Sequence, residues 1–326
     1  MLADISVQIA RVILTLFIIF GTLGNALNLC IFTRPNLYRS PCTLYLIAAS
    51  IDNLIVTYTT MLTRLLADGY SIDPTAQSMI FCKVRYYVGY VFFALSPYFF
   101  ILACFDRYCS SSQSVALRSW SDRRVAKRLI VGAIIVACLV YLHMAIFFEV
   151  QTIYVIYTYC YSRQGFYSTF YSIFYIIAYC MLPPFLMGLF TILTLGNVRR
   201  QSRQIMPSTA THGVHRRLDR QLMRMLFSQV LTQLVCVLPF ATLNLIAVFM
   251  SATTVLTFLN QLARIPLFFS YAASFYVFTL SSPVYKRELM KFIKYRRLGR
   301  QDPGEFTLGT FTLAKNGLNR PTQTQH

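Results

Sequence analysis

The run CKVRYYVGYVFFALSPYFFILACFDRY, from Cys82 to Tyr108, decides how this chain folds. Between Tyr86 and Cys104 no charged side chain interrupts it. At ~1.5 Å of rise per residue, a helix from Cys82 to Arg107 is roughly 37 Å long, about one bilayer with its interfaces. A disulfide-capable thiol therefore stands at one membrane face. Asp106-Arg107-Tyr108 stands at the other, where hydrocarbon meets water.

Further apolar runs lie on both sides: Val12 to Thr33, Leu44 to Leu66, Leu129 to Phe148, Phe170 to Leu195, Met225 to Phe249 and Leu262 to Leu280. Together with Tyr86 to Cys104 they predict an all-α fold, a bundle of seven transmembrane helices. Composition agrees, with 56% hydrophobic and 13% charged residues against about 25% charged in soluble domains. The first run is too long, and too poor in small residues for cleavage, to read as a removable signal peptide. No internal repeat is visible.

The net charge of +19 raises the question of nucleic acid, but its distribution excludes that partner. Twenty-four of the 30 Lys and Arg fall in alternate loops and the tail: Arg34 and Arg39, the stretch Arg107 to Arg128, the stretch Arg199 to Arg224, and Lys286 onward. Basic loops stay cytoplasmic, so the N-terminus is expected outside and the C-terminus inside a multi-pass protein of the plasma membrane. The cysteines fit this topology. Of nine, only Cys82 and Cys160 fall on the oxidising side, outside the spans.

Between the fourth and fifth runs, Thr152 to Tyr159 is rich in β-branched and aromatic residues and predicts a short strand or hairpin. After the seventh run, Tyr285, Leu289, Phe292 and Ile293 recur at helical spacing among lysines and arginines. This is the pattern of a short cytoplasmic amphipathic helix, an eighth helix, lying on anionic membrane lipids. The membrane domain is therefore set at residues 1–298. Residues 299–326, polar and threonine-rich, are expected to be a disordered tail.

A carboxylate near mid-bilayer is costly, so Asp52 is a functional candidate, with Asn25, Ser96 and Ser274 as neighbours. Pro183-Pro184 and Pro239 remove backbone donors within spans and bend them. Near the outer ends, Arg64, Lys83, Arg85 and Arg264 accompany Tyr86, Tyr87, Tyr90, Phe93, Tyr154 and Tyr157. Arg85 and Arg264 suit a carboxylate and the rings suit apolar groups, while an arginine at a membrane edge also snorkels without any ligand. An enzyme is disfavoured. The four histidines, His143, His212, His215 and His326, are too dispersed to gather, and no His-Glu-x-x-His, phosphate loop or Gly-x-Ser-x-Gly occurs. A seven-helix transporter or ligand-gated channel is the alternative, although no paired halves with matching broken helices are visible.

The Asp106-Arg107-Tyr108 motif ending the third of seven spans, with Cys82 at its other end, resembles the rhodopsin-like G-protein-coupled receptors over about 290 residues. Cys109-Ser110-Ser111-Ser112 and Thr279-Leu280-Ser281-Ser282-Pro283 look more narrowly like invertebrate neuropeptide receptors of the FMRFamide-like kind. The resemblance implies a Cys82–Cys160 disulfide tying the third helix to the second outer loop. It also implies an allosteric Na⁺ at Asp52, with no other cofactor or metal. Pro183, Pro184 and Pro239 match the family's hinge prolines. Arg107 is expected to be held by Asp106 and by Asp219 at the start of the sixth helix, unless Asp219 is simply solvated. Its release lets that helix swing outward and admit a heterotrimeric G protein, with Val115 as an apolar contact. An extracellular peptide or small ligand is implied, set on Arg64, Arg85, Tyr86, Tyr90, Phe93 and Arg264.

Several positions depart from the family pattern. Val237 replaces tryptophan and Gln233 replaces phenylalanine in the sixth helix. Ser274-Phe275-Tyr276-Val277-Phe278 stands for Asn-Pro-x-x-Tyr, Ser114 for a proline, and Thr191 or Ile192 for a tyrosine. Trp120, the only tryptophan, lies in a loop. Gly89 occupies the position where amine receptors carry aspartate, and no lysine between Ile265 and Pro283 can form a retinal Schiff base, so amine and retinal ligands are disfavoured.

Overall fold

A computed structural model describes residues 2–153, 157–204, 210–249 and 253–298. Among these, the side chains of residues 2–3, 152–153, 157, 201–204, 210–219, 247–249, 254, 257 and 295–298 are left aside. The expectations for Tyr154, Tyr157, Asp219, His212, His215, His326 and the tail from residue 299 thus fall outside the described residues or side chains.

The chain begins with helix α1, Leu2–Phe32. Helix α2 starts at Pro41–Val56 and continues to Gly69 through π-helical turns at Thr57–Met61 and Leu65–Gly69. Helix α3 spans Met79–Ser110, and α4 runs Arg123–Val140 and on through Leu142–Phe147. Helix α5 comprises Phe166–Tyr175, a π turn at Ile176–Met181, and Leu182–Gln204. Helix α6 is Ala210–Phe249. Helix α7 is Thr254–Ala272 followed by Ser274–Ser281, and α8 is Pro283–Leu298. Among the described residues, six helices are long and apolar enough to cross a membrane, and α7 makes seven if its two pieces, bent by 58°, form one span.

Local chemistry sets several of these boundaries. The Asp122 carboxylate accepts from Arg124 N–H at 2.7 Å and starts α4, and Thr253 Oγ1 accepts from Leu256 N–H at 3.2 Å and starts α7. Pro283 opens α8 where its missing donor costs nothing, and Ser282 Oγ takes the N–H of Tyr285 at 3.3 Å. The π turn in α5 directly precedes Pro183-Pro184, which cannot donate to the turn before them.

The bundle buries a hydrophobic core with several polar side chains inside it, and turns apolar side chains outward as well. Asn25, Asn28, Asp52, Asn53 and Ser274 are all at most 2% exposed, while Val12, Leu23, Val131 and Leu139 are more than half exposed. An apolar outer face of this extent needs lipid against it, and polar side chains buried in the core need internal partners. Helix α3 is central, packing against α2, α4, α5 and α6. Helix α1 closes the ring against α7. Gly21 and Gly24 allow this approach, since a Cβ on Gly24 would lie 3.0 Å from Phe275 Cβ, and one on Gly21 3.3 Å from Ala272 Cβ.

Between α4 and α5, strands β1 (Phe148–Ile153) and β2 (Tyr157–Ser162) form an antiparallel hairpin in the region expected for one. Val150 pairs with Cys160, and a Cys82–Cys160 disulfide ties β2 to the first turn of α3. Contacts divide the chain into residues 1–289, which hold the bundle, and residues 290–326.

Candidate functional site

At one end of α3, Asp106 and Arg107 are 2% and 4% exposed. Arg107 donates from Nε (3.1 Å) and Nη2 (2.5 Å) to Asp106 Oδ2, and from Nη2 to Ser40 Oγ at 3.3 Å. Ser40 precedes α2 without capping it, which leaves its hydroxyl available to α3. Ser121 Oγ donates to Asp106 Oδ1 at 2.8 Å. A buried ion pair persists only when its remaining lone pairs and protons are satisfied, and these hydroxyls do that. Arg107 also borders a cavity of about 610 Å³ with Cys104, Thr191 and Thr194 on one side and Arg220, Arg224 and Phe227 of α6 on the other. Tyr108 packs on Phe190 of α5 with ring centres 6.1 Å apart. Val115, 73% exposed, sits on a short helical turn, Val115–Arg118, that follows α3.

At mid-bundle the polar residues join differently from the sequence grouping. The side chains of Asn25 and Ser96 bond Asn53 rather than Asp52, and Ser274 joins them through Asn25. Ser96 Oγ donates to Asn53 Oδ1 at 2.6 Å, Asn53 Nδ2 to Asn25 Oδ1 at 3.2 Å, and Ser274 Oγ to Asn25 Oδ1 at 3.1 Å. Neighbours on a helix point about 100° apart, so while Asn53 takes the Ser96 hydroxyl, Asp52 lies near the Ser96 backbone instead. Both Asp52 oxygens, buried, have no hydrogen-bond partner among the described residues. The network continues through Asn28, whose Nδ2 donates to Ser274 Oγ at 3.1 Å and whose Oδ1 accepts from Tyr285 OH at 2.5 Å. Burial pushes the Tyr285 phenol up, keeping it in this donating form.

Helix α7 bends at Ala273 without a proline at the break. Asn25 Nδ2 donates to the carbonyl of Tyr271 at 3.1 Å, and that carbonyl would otherwise serve the helical ladder of α7. A side chain inserted into the i→i−4 ladder is a recognised cause of a sharp kink.

At the disulfide end, Arg64, Arg85, Tyr86, Tyr90, Phe93 and Arg264 line one cavity of about 160 Å³, together with Gly89. Phe148 and Tyr161 of the hairpin border it as well. Tyr86 stacks on Phe148 with centres 4.7 Å apart, and Phe93 is held between Tyr179 and Tyr271, each at 4.8 Å. Tyr90 and Tyr171 hydrogen-bond through their hydroxyls. Arg64 pairs with Asp68 and Arg85 with Asp73, each at 3.6 Å, and Arg85 also reaches Thr75 Oγ1 at 3.4 Å. Two residues grouped with them in the sequence turn elsewhere: Lys83 Nζ donates to Ile146 O, and Tyr87 OH to Cys138 O.

Sequence reading passed over Asp68, Asp73, Asn28, Asn53 and Glu288. The i,i+4 spacing of Arg64 and Asp68 and the i,i+3 spacing of Asn25 and Asn28 were available signals. Asp73 and Glu288 had none, since Glu288 meets Asn36 Nδ2 (3.0 Å) only through the fold.

A family model described as 7 transmembrane receptor (rhodopsin family) matches residues 24–276. No curated protein matches the chain.

Proposed function

Because the chain belongs to the seven-transmembrane receptor (rhodopsin) family, a family of receptors and not of enzymes, we propose that it is a plasma-membrane receptor whose disulfide end faces outward and takes a peptide. The ligand-bound state then activates a heterotrimeric G protein at the Arg107 end. The observation that carries this reading is that one helix, α3, borders both cavities: Arg85, Tyr86, Tyr90 and Phe93 line the first, Cys104 and Arg107 the second. A shift of α3 or its partners at the ligand cavity is thereby coupled to the other membrane face. The hairpin beside the ligand cavity, and a wall mixing cations with aromatic rings, suit a peptide.

In this reading the Asp106–Arg107 pair is the resting state. Outward movement of α6 about Pro239 widens the cavity bordered by Arg220, Arg224 and Phe227 until a helix of the G protein fits. The buried and unpartnered carboxylate of Asp52 fits a small cation such as Na⁺ or, equally, a proton. Asp52 would hold it beside the Asn25–Asn53–Ser96 network, and the bound charge offsets the carboxylate in the resting bundle.

Nucleotide exchange on purified heterotrimeric G proteins, with the receptor in nanodiscs and a peptide library as input, tests the proposal. Exchange that needs both peptide and intact Arg107 supports it. Passive ion flux through the same nanodisc or vesicle preparation, without any exchange, favours a channel instead.

A further inference from the structure

Three guanidinium groups line the ligand cavity against two carboxylates. Arg64 and Arg85 have Asp68 and Asp73 at 3.6 Å, but Arg264 has neither an ion pair nor a hydrogen bond among the described residues. Arg64 lies within electrostatic reach of both Arg85 and Arg264, and Asp68 acts on Arg264 as well as on its partner Arg64, so among the described residues two carboxylates are shared by three cations and one positive charge is left over. The hydroxyl of Thr60, on the same wall, is buried and without a partner. Around these donors the lining is aromatic: Tyr86, Tyr90, Phe93, Phe148 and Phe268.

Arg264 and Phe268 also line a second cavity of about 260 Å³ between α1 and α7, walled mainly by Val7, Ile9, Ile13 and Ile265, with Asp68, the ion-pair partner of Arg64, at its edge. One cation without an ion pair of its own is therefore shared between a polar-mouthed pocket and a largely apolar cleft whose carboxylate, Asp68, is already paired with Arg64. Arg264 is half-buried, and a cation partly withdrawn from water is costly unless an anion completes it.

Resting on the receptor reading above, we propose that Arg264 is the seat for a single free carboxylate attached to an apolar or aromatic body. A ligand amidated at this group leaves Arg264 unpaired. The same chemistry has two sources. One is the unamidated C-terminal residue of a peptide entering beside the hairpin, and the other is a single-chain acid whose hydrocarbon lies in the cleft between α1 and α7. A bidentate guanidinium–carboxylate contact, with Thr60 Oγ1 as an added donor, accounts for selectivity over the neutral analogue.

The test is thermal stabilisation of the full-length chain in nanodiscs by matched pairs: N-acetylphenylalanine with its amide, and laurate with methyl laurate. The acid of at least one pair should raise the melting midpoint while its neutral partner does not, and which pair responds identifies the source. Arg264→Gln should weaken that acid at least tenfold and Arg264→Lys should retain part of the effect, both variants being monodisperse with the Cys82–Cys160 bridge formed. Equal stabilisation by acid and neutral partner, no stabilisation by either acid, or an Arg264→Gln variant that binds as well as the parent overturns the seat. If an amidated peptide drives nucleotide exchange while neither acid binds, the seat is wrong and the receptor reading stands. If an acid binds and no G protein responds to any ligand, the seat stands and the signalling reading fails.

Discussion

Single side chains in the bundle show where a polar group is satisfied and where it is kept waiting. Gln229 is 1% exposed and neither end of its amide has a partner among the described residues. Leaving a buried donor or acceptor unmade costs about 1–3 kcal/mol. Gln229→Leu is therefore expected to stabilise the ligand-free protein by about that amount, read as a rise in melting midpoint, and a fall would show that water or a second conformation uses the amide. Asp52 presents the same deficit as a charge, so Asp52→Asn should abolish any dependence of stability on Na⁺ measured against a choline-chloride control at equal ionic strength. A sodium response that survives the substitution places the ion elsewhere. At Gly89 an added Cβ meets only Thr60 Oγ1, at 3.6 Å, so Gly89→Asp fits. It puts an internal carboxylate into the arginine-lined cavity, and weaker binding of acidic ligands is the expected result.

Among the helices, the α1–α7 contact is the most demanding. Gly24→Ala places a methyl group 3.0 Å from Phe275 Cβ, tighter than ordinary contact, and Phe275 must give by a few tenths of an ångström. Overpacking of this kind costs typically about 1–3 kcal/mol. Gly132→Ala and Gly188→Ala, where nothing lies within 4 Å, are the controls. They should be neutral or stabilising by up to about 1 kcal/mol, from helix propensity alone. The α7 bend depends on the same interface. Asn25→Leu returns the Tyr271 carbonyl to its own helix and should reduce the 58° bend, which pulsed electron-spin distances between labels on the two ends of α7 would detect. An unchanged distance would assign the bend to Pro266 or to packing instead.

For the molecule as a whole, orientation and the long-range link between its two cavities are the properties that matter. An epitope at the C-terminus should become accessible to antibody only after cells are permeabilised, and labelling of intact cells would reverse the topology. Seven spans, their order, the eighth helix and the hairpin region were all legible in the chain, because a bilayer forces every spanning segment to be long, apolar and internally hydrogen-bonded. The Asp106-Arg107-Tyr108 motif and the outer arginines were legible for a related reason: charge is rare in such segments, and each instance stands out. Rotation about each helix axis was not legible. One residue of register separates Asn53 from Asp52, yet it decides which one bonds the side chains of α1 and α3 and which keeps a carboxylate with no hydrogen-bond partner among the described residues. Nor could the chain alone show that Asp68 and Asp73 neutralise two arginines and leave Arg264 over, since that balance exists only after α2, α3 and α7 converge on one cavity. The sequence determined what had to lie in the membrane and which residues were expensive to put there. The tertiary structure alone decided which of those residues found partners, because pairing depends on side-chain directions between helices far apart in the chain.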